Sequence, residues 1–253
     1  MFMRLLQVKI KQDQLKSLGS LYERRIIPAL QNVGGCIYAC LLQRAHNPEE
    51  GLSMTLWQSE ADSQRYERSG LFMQLVAEAR PFFAETTEWK LQLSKDFNLE
   101  YASGSAEPVV RTFSVSTTSG QAIPSKEHMP GAFLRIVSLH VRPGKLEEYK
   151  HLYERQIIPA LLSSHRCQFS CLSTPTSESN EAISVTLWKS RADAVEYEQS
   201  GAFGQLLQSV KHTLSDLTQL KMESEGTRLP SVTSEDIDVE GFHLLVGRNL
   251  SAS

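Results

Sequence analysis

Four cysteines in 253 residues are too few, and too widely spread, to read as a disulfide framework. Positive charge is also scarce. Lys and Arg total 26 against 29 Asp and Glu, for a net charge of −3. No basic surface is concentrated enough to displace nucleic-acid counterions, and no polybasic stretch marks a membrane surface. No run approaches the roughly 20 apolar residues of a membrane span. The first residues, MFMRLLQVKIKQDQ, interrupt their apolar positions with Arg4, Gln7, Lys9 and Lys11, so they lack the core of a signal peptide. A cytoplasmic protein with reduced cysteines is expected. The seven histidines show no metal-ligand spacing, and there is no nucleophile elbow, phosphate loop or dinucleotide fingerprint. Neither a metal site nor a cofactor is predicted.

What the chain does have is a repeat. LYERRIIPAL (21–30) returns as LYERQIIPAL (152–161), with nine of ten residues identical. TLWQSEAD (55–62) returns as TLWKSRAD, and YERSGLF (66–72) as YEQSGAF, each displaced by the same 131 residues. A constant offset requires equal element lengths, so the chain is a duplicated domain.

Both copies read alike. Segments 5–11 and 134–142 alternate as half-buried strands, with Leu6, Val8 and Ile10 opposite Gln7 and Lys9, and Val137, Leu139 and Val141 opposite Ser138 and His140. Lys9 and His140 occupy equivalent positions, which predicts a polar lumen on that face. A helix follows through Leu15, Leu18, Tyr22 and Ile26, and Pro28 and Pro159 are expected to kink or end it. Strands are placed at 36–43 and 52–57, and at 167–173 and 183–188. Ser59 and Ser190 then cap a second helix. The last strands are placed at 89–93 and 217–222, giving an α+β βαββαβ ferredoxin-like order. Each copy carries one further strand candidate, at 109–116 and 242–246. The Ser-, Thr-, Gly- and Pro-rich residues 116–130 read as a connector. Domains are therefore set at 1–118 and 132–253, joined by a linker at 119–131. One ferredoxin-like sheet leaves a face bare, so two tandem copies are expected to pack sheet to sheet as a monomeric pseudo-dimer. Further homo-oligomerisation is left open.

Helix–IIPAL–GC, a strand ending TLW, and S-x-A-D opening a helix with Y-E-x-S-G-x-F together resemble the antibiotic biosynthesis monooxygenase domains of the dimeric α/β-barrel superfamily. The resemblance covers about residues 4–94 and 135–224. It implies that fold, and a chemistry that varies across the family: cofactor-independent oxygenation of quinol or polyketide-type substrates, haem degradation, or no known reaction. For haem degradation the resemblance looks for a tryptophan where this chain has Tyr66 or Tyr197, and for a histidine ligand near Val76 or Leu207. The strand-one asparagine position falls near Gln7 or Ser138. The missing histidine places haem third among the readings.

Tyr22, Tyr66, Tyr153 and Tyr197 are the candidate catalytic residues, because a phenol in an apolar cavity can hydrogen-bond and orient a phenolic substrate. Packing alone also accounts for Tyr22 on its apolar stripe. Trp57, Trp188, Phe72 and Phe203 are candidate pocket walls, although each tryptophan could simply seal the sheet edge with its indole N–H satisfied locally. Glu23 and Glu154 beside Arg24 and Arg155 read better as a solvated face than as bases. Cys36 and Cys40, like Cys167 and Cys171, are expected on one strand face as small buried hydrophobes. Strand two is drier in copy one (Ile37, Ala39, Leu41) than in copy two (Gln168, Ser170, Leu172), which points to copy one for the more apolar pocket. The predicted partner is a small aromatic, polycyclic or quinol-type molecule bound between sheet and helices. The alternative is a non-catalytic binding or assembly module.

Overall fold

A computed structural model describes residues 1–11, 13–93, 99–105, 108–163, 165–176, 180–216 and 238–251. The first half runs β1 (Phe2–Lys9), α1 (Leu15–Leu21), a π-helical turn (Tyr22–Ile26), α2 (Ile27–Gln31), β2 (Cys36–Arg44), β3 (Glu50–Trp57), α3 (Glu60–Arg68) and α4 (Leu71–Ala79). A hairpin of β4 (Glu85–Leu93) and β5 (Leu99–Ser105) follows, then β6 (Val109–Thr118). The second half repeats the order: β7 (Phe133–His140), α5 (Leu146–Leu152), a π-helical turn (Tyr153–Ile157), α6 (Ile158–Ser163), β8 (Cys167–Pro175), β9 (Glu181–Trp188), α7 (Arg191–Gln199), α8 (Ala202–Val210) and β10 (Asp238–Asn249).

Eight strands close into one barrel in the order β1-β3-β2-β10-β7-β9-β8-β6. Each half is the ferredoxin-like sheet, with its fourth strand beside its first. That fourth strand also pairs antiparallel with the second strand of the other half, β6 with β8 and β10 with β2. Closure removes the free edges that two separate sheets would present to other chains. The halves therefore bury their bare faces against each other and join along both edges as well.

The fourth strand is not where the sequence placed it. Residues 89–93 belong to β4, which pairs only with β5 in a separate two-stranded sheet. The supposed extra strand, β6, closes the first half instead. Phe113 and Val115 give it a period-two apolar face for the lumen, and its ten residues pair with both β1 and β8. The strand expected at 217–222 lies outside the described residues.

The lumen is dry. Met3, Leu5 and Phe113 from one half meet Leu134, Ile136 and Phe169 from the other, all buried. The polar lumen expected from Lys9 and His140 is therefore corrected. Both residues lie exposed at the strand ends, and the polar groups gather at a barrel mouth lined by Gln7, Ser138, Arg111, Glu181 and Glu240. The connecting segment is no loose spacer either, since Ile123 and Met129 are buried in the lumen core. Asn249 Nδ2 donates to the Ile123 carbonyl at 3.2 Å, and the Lys126 ammonium donates to the Leu244 carbonyl.

Helices cover the outer face of each half. Neither proline ends its helix. Proline has no N–H and its ring crowds the carbonyl four residues back. The backbone answers by widening the turn before it, so that Ile27 N–H reaches the Tyr22 carbonyl and Ile158 N–H the Tyr153 carbonyl, five residues earlier. Ser59 and Ser190 cap α3 and α7 as expected, accepting from the amides of Asp62 and Asp193 at 3.2 and 3.1 Å. Gly70 and Gly201 join α3 to α4 and α7 to α8 at φ 79° and 80°, a conformation that disfavours a side chain. No described helix is long and apolar enough to cross a membrane.

Candidate functional site

The cavities lie between the outer sheet face and the helices, one in each half. In copy one, a cavity of about 60 Å³ is walled by apolar side chains of β1, α1, α2 and α4, with Arg4, Tyr22, Ser53, Thr55 and Tyr66 supplying its polar atoms. Its counterpart in copy two is about 40 Å³ and is lined by Arg135, Tyr153, Ser184, Thr186 and Tyr197. Tyr149 occupies the position where copy one has Leu18, and its ring takes up part of the space.

The widened helical turn carries Tyr22 and Tyr153 over the sheet. Tyr22 Oη donates to the Cys40 carbonyl at 3.0 Å and lies 3.0 Å from Ser53 Oγ. Tyr153 Oη is more tightly held, 2.7 Å from Ser170 Oγ, 2.6 Å from Ser184 Oγ and 3.3 Å from the Cys171 carbonyl. Ser170 replaces Ala39, which is the structural form of the drier strand noted in copy one. Burial pushes both phenols well above the usual range, so at neutral pH they are hydrogen-bonding groups and not proton acceptors.

Tyr66 stacks on Trp57 with ring centroids 5.0 Å apart and meets Phe72 edge-on at 5.9 Å. Tyr197 repeats this with Trp188 at 4.8 Å and Phe203 at 6.1 Å. Each indole N–H donates to a threonine hydroxyl two residues back, Trp57 to Thr55 and Trp188 to Thr186, both at 2.9 Å. Trp57 stands behind Tyr66 and does not itself line the cavity, whereas Trp188 does. Phe72 and Phe203 line their cavities, Phe72 half-buried and Phe203 buried. The eight aromatic candidates thus form two equivalent clusters. Glu23 and Glu154 point to solvent and join neither.

Sequence reasoning missed Arg4 and Arg135. They recur at the same offset of 131, a signal available in a single-residue comparison of the two copies. Each sits opposite a threonine across the sheet, Thr55 and Thr186, on the face that the helices cover. Arg4 is 3% exposed, and its Nη2 donates to Glu67 at 3.3 Å. Its Nε and Nη1 are buried without an acceptor. Such unpaired buried donors cost about 1–3 kcal/mol each. Phe72 lies over the guanidinium at 3.9 Å, a cation–π contact that offsets part of that cost. Burial raises the Tyr66 phenol, and the nearby Arg4 charge partly opposes the shift; Arg135 does the same for Tyr197.

The cysteine expectation holds in one respect and fails in another. All four thiols are buried and free, but Cys36 and Cys40 are on opposite faces, Cys36 under the helices and Cys40 in the lumen. A bulge between Cys36 and Tyr38 shifts the alternation, and one between Cys167 and Phe169 repeats it. No group of metal-binding side chains occurs among the described residues. Haem does not fit either cavity. Val76 and Leu207 supply no ligand atom, and no histidine lines the space.

The copies also differ at the cleft between their helices. In copy one, Arg25 holds Glu78 through two hydrogen bonds of 2.9 Å, tying the π-helical turn to α4. Copy two has Gln156 and Ser209 at these positions. There, an open groove of about 550 Å³ between α6, α7 and α8 shares Tyr197 and Leu206 with the inner cavity.

A βαββαβ half, duplicated and closed through its fourth strands with a small cavity on the helix side of each copy, defines the class: a dimeric α/β barrel folded within one chain. Residues 1–78 match the family model for antibiotic biosynthesis monooxygenase. The likeness to that family rests on residues 1–78, whose motifs the second half repeats at the 131-residue offset. A comparison with curated proteins finds no match. Two solved structures described as candidate monooxygenases, from Lactobacillus acidophilus and Fusobacterium nucleatum, superpose on 98% of this chain and on 96% and 94% of theirs. Both have TM-scores of 0.67, at 7% and 9% identity. An anthrone oxidase-like protein covers 99% of this chain and 93% of its own, with a TM-score of 0.53 at 11% identity. At such identities the likeness is one of fold.

Proposed function

We propose that this chain is a cofactor-independent monooxygenase-like protein that holds a small aromatic or quinol-type substrate in the copy-one cavity, with residues 1–118 and 132–253 acting together as a monomeric pseudo-dimer. The observation that carries the reading is an apolar cavity lined by a buried cation, Arg4, together with Tyr22, Ser53 and Tyr66. In such chemistry the substrate itself supplies electrons to oxygen. The protein's share is to strip water from the substrate, orient it and stabilise its anion. The walls of Leu, Ile and Val do the first, the Tyr66–Trp57 stack the second, and Arg4 the third. Tyr22, held neutral and donating to the Cys40 carbonyl, fixes the wall of the cavity beside Ser53.

A site for a drug-sized ligand usually spans about 300–1,000 Å³. At about 60 Å³ the copy-one cavity must widen to take such a ligand. Oxygen uptake with a panel of quinols and anthrones tests the reading. Turnover by the wild type, lowered at least about tenfold in Tyr66→Phe and Trp57→Ala, is the expected result. The small volumes favour a second reading, a non-catalytic binding or assembly module. No uptake with any panel member would select it.

A further inference from the structure

We infer that the copy-one cavity is an anion site: it takes a small apolar molecule bearing one negative oxygen group, an aromatic carboxylate or a phenolate, seated on one of the two unpartnered guanidinium nitrogens of Arg4, Nε or Nη1. The assignment rests on the proposed reading of this cavity as the ligand site, but not on any oxygenation there.

Three observations converge on it. Arg4 is the one charged residue lining the cavity, and no carboxylate lines it. Its Glu67 partner engages only Nη2 and is itself 56% exposed, on the outer side. Nε and Nη1 are buried with no acceptor. Phe72 does not change this, because a ring stacked over a guanidinium engages its face, while the N–H bonds point outward in its plane. The neighbouring hydroxyls do not serve as acceptors for these donors either: Tyr22 turns to Cys40 and Ser53, and Thr55 receives the Trp57 indole. What remains is a buried cation with unpartnered in-plane donors, in a cavity whose walls include Leu6, Val8, Leu18 and Val76. An anionic oxygen gives one of these nitrogens a charged acceptor, and an apolar body suits the walls.

The test compares benzoate with the neutral benzamide by calorimetry on the intact chain, and adds 4-nitrophenol, whose phenolate is read directly from its visible absorption. Benzoate is expected to bind about 10–100-fold tighter than benzamide, the range of a charge-assisted hydrogen bond. Bound 4-nitrophenol is expected to ionise at a pH where the free dye is still protonated. Arg4→Met should erase both effects without lowering the unfolding midpoint, since it removes unpaired donors. Arg135→Met should leave both in place. A benzoate preference without dye ionisation assigns a carboxylate, and dye ionisation without the preference assigns a phenolate. Equal binding of benzoate and benzamide with no dye ionisation in the wild type overturns the proposal without recourse to a variant, as does a preference that survives Arg4→Met. Anion binding without oxygen uptake sinks only the oxygenase reading. Oxygen uptake with no preference for the anion sinks only this one.

Discussion

The paired tyrosines offer a comparison within one molecule, because the side chains that bond their hydroxyls differ by one residue, Ser170 in place of Ala39. Tyr153→Phe removes the oxygen that lies 2.6 Å from Ser184 Oγ and 2.7 Å from Ser170 Oγ. Ser170 is 0% and Ser184 8% exposed, so neither hydroxyl has ready access to water in exchange. Losing a buried partner costs about 1–3 kcal/mol per stranded group, which puts this substitution, with two, at about 2–6 kcal/mol. Tyr22→Phe strands only Ser53, which is half-buried, and one lone pair of a strand carbonyl that remains in its ladder. About 1 kcal/mol is expected there. Urea denaturation followed by circular dichroism gives both values on the same scale. Adding Ser170→Ala to Tyr153→Phe recreates the Ala39 arrangement of copy one and should recover about 1 kcal/mol. Equal costs for the two tyrosines, or no recovery in the double variant, would refute the view that copy two's hydroxyl cluster stiffens that half.

Two further outcomes follow from buried groups. Tyr38 in the lumen has an Oη with no partner, and its counterpart in copy two is Phe169. Tyr38→Phe is therefore expected to raise stability by about 1 kcal/mol in the same urea assay, and a loss would show that the hydroxyl is satisfied. Burial pushes the Cys36, Cys167 and Cys171 thiols up to about 12, and Cys40 higher still. An unfolded thiol ionises near pH 8.5, so the stability from keeping these thiols neutral is complete below about pH 8 and falls as pH rises toward 12, by up to about 1.4 kcal/mol per thiol per pH unit. Urea midpoints unchanged between about pH 8 and pH 10 would contradict this assignment.

The duplication, the ferredoxin-like order and the helix caps were all legible in the sequence, since each rests on local chemistry repeated at a fixed offset. The identity of the fourth strand was not. Segment 89–93 and β6 both alternate, and only the requirement that one strand bond both β1 and β8 selects β6. The cysteines were misplaced for a comparable reason, because a bulge adds a residue to one strand without any signature in composition. The aromatic clusters were visible in the identical motifs. Arg4 was hidden among the charges that break up the N-terminal strand, and burial under α3 and α4, a tertiary property, is what separates it from Lys9.

Joining of the two halves along their outer strands can be measured directly. Ser114 on β6 faces Thr174 on β8 across the seam between the halves, and both side chains point away from the lumen. Paired antiparallel residues hold their Cα atoms about 4.5–5.5 Å apart, within disulfide reach. Mild oxidation of Ser114→Cys/Thr174→Cys, read by mass spectrometry of peptides under non-reducing conditions, should give a 114–174 bridge within single chains while the four native thiols stay unreacted. Failure to cross-link in the folded protein, or bridges formed only between chains, would contradict a barrel closed by one chain on itself.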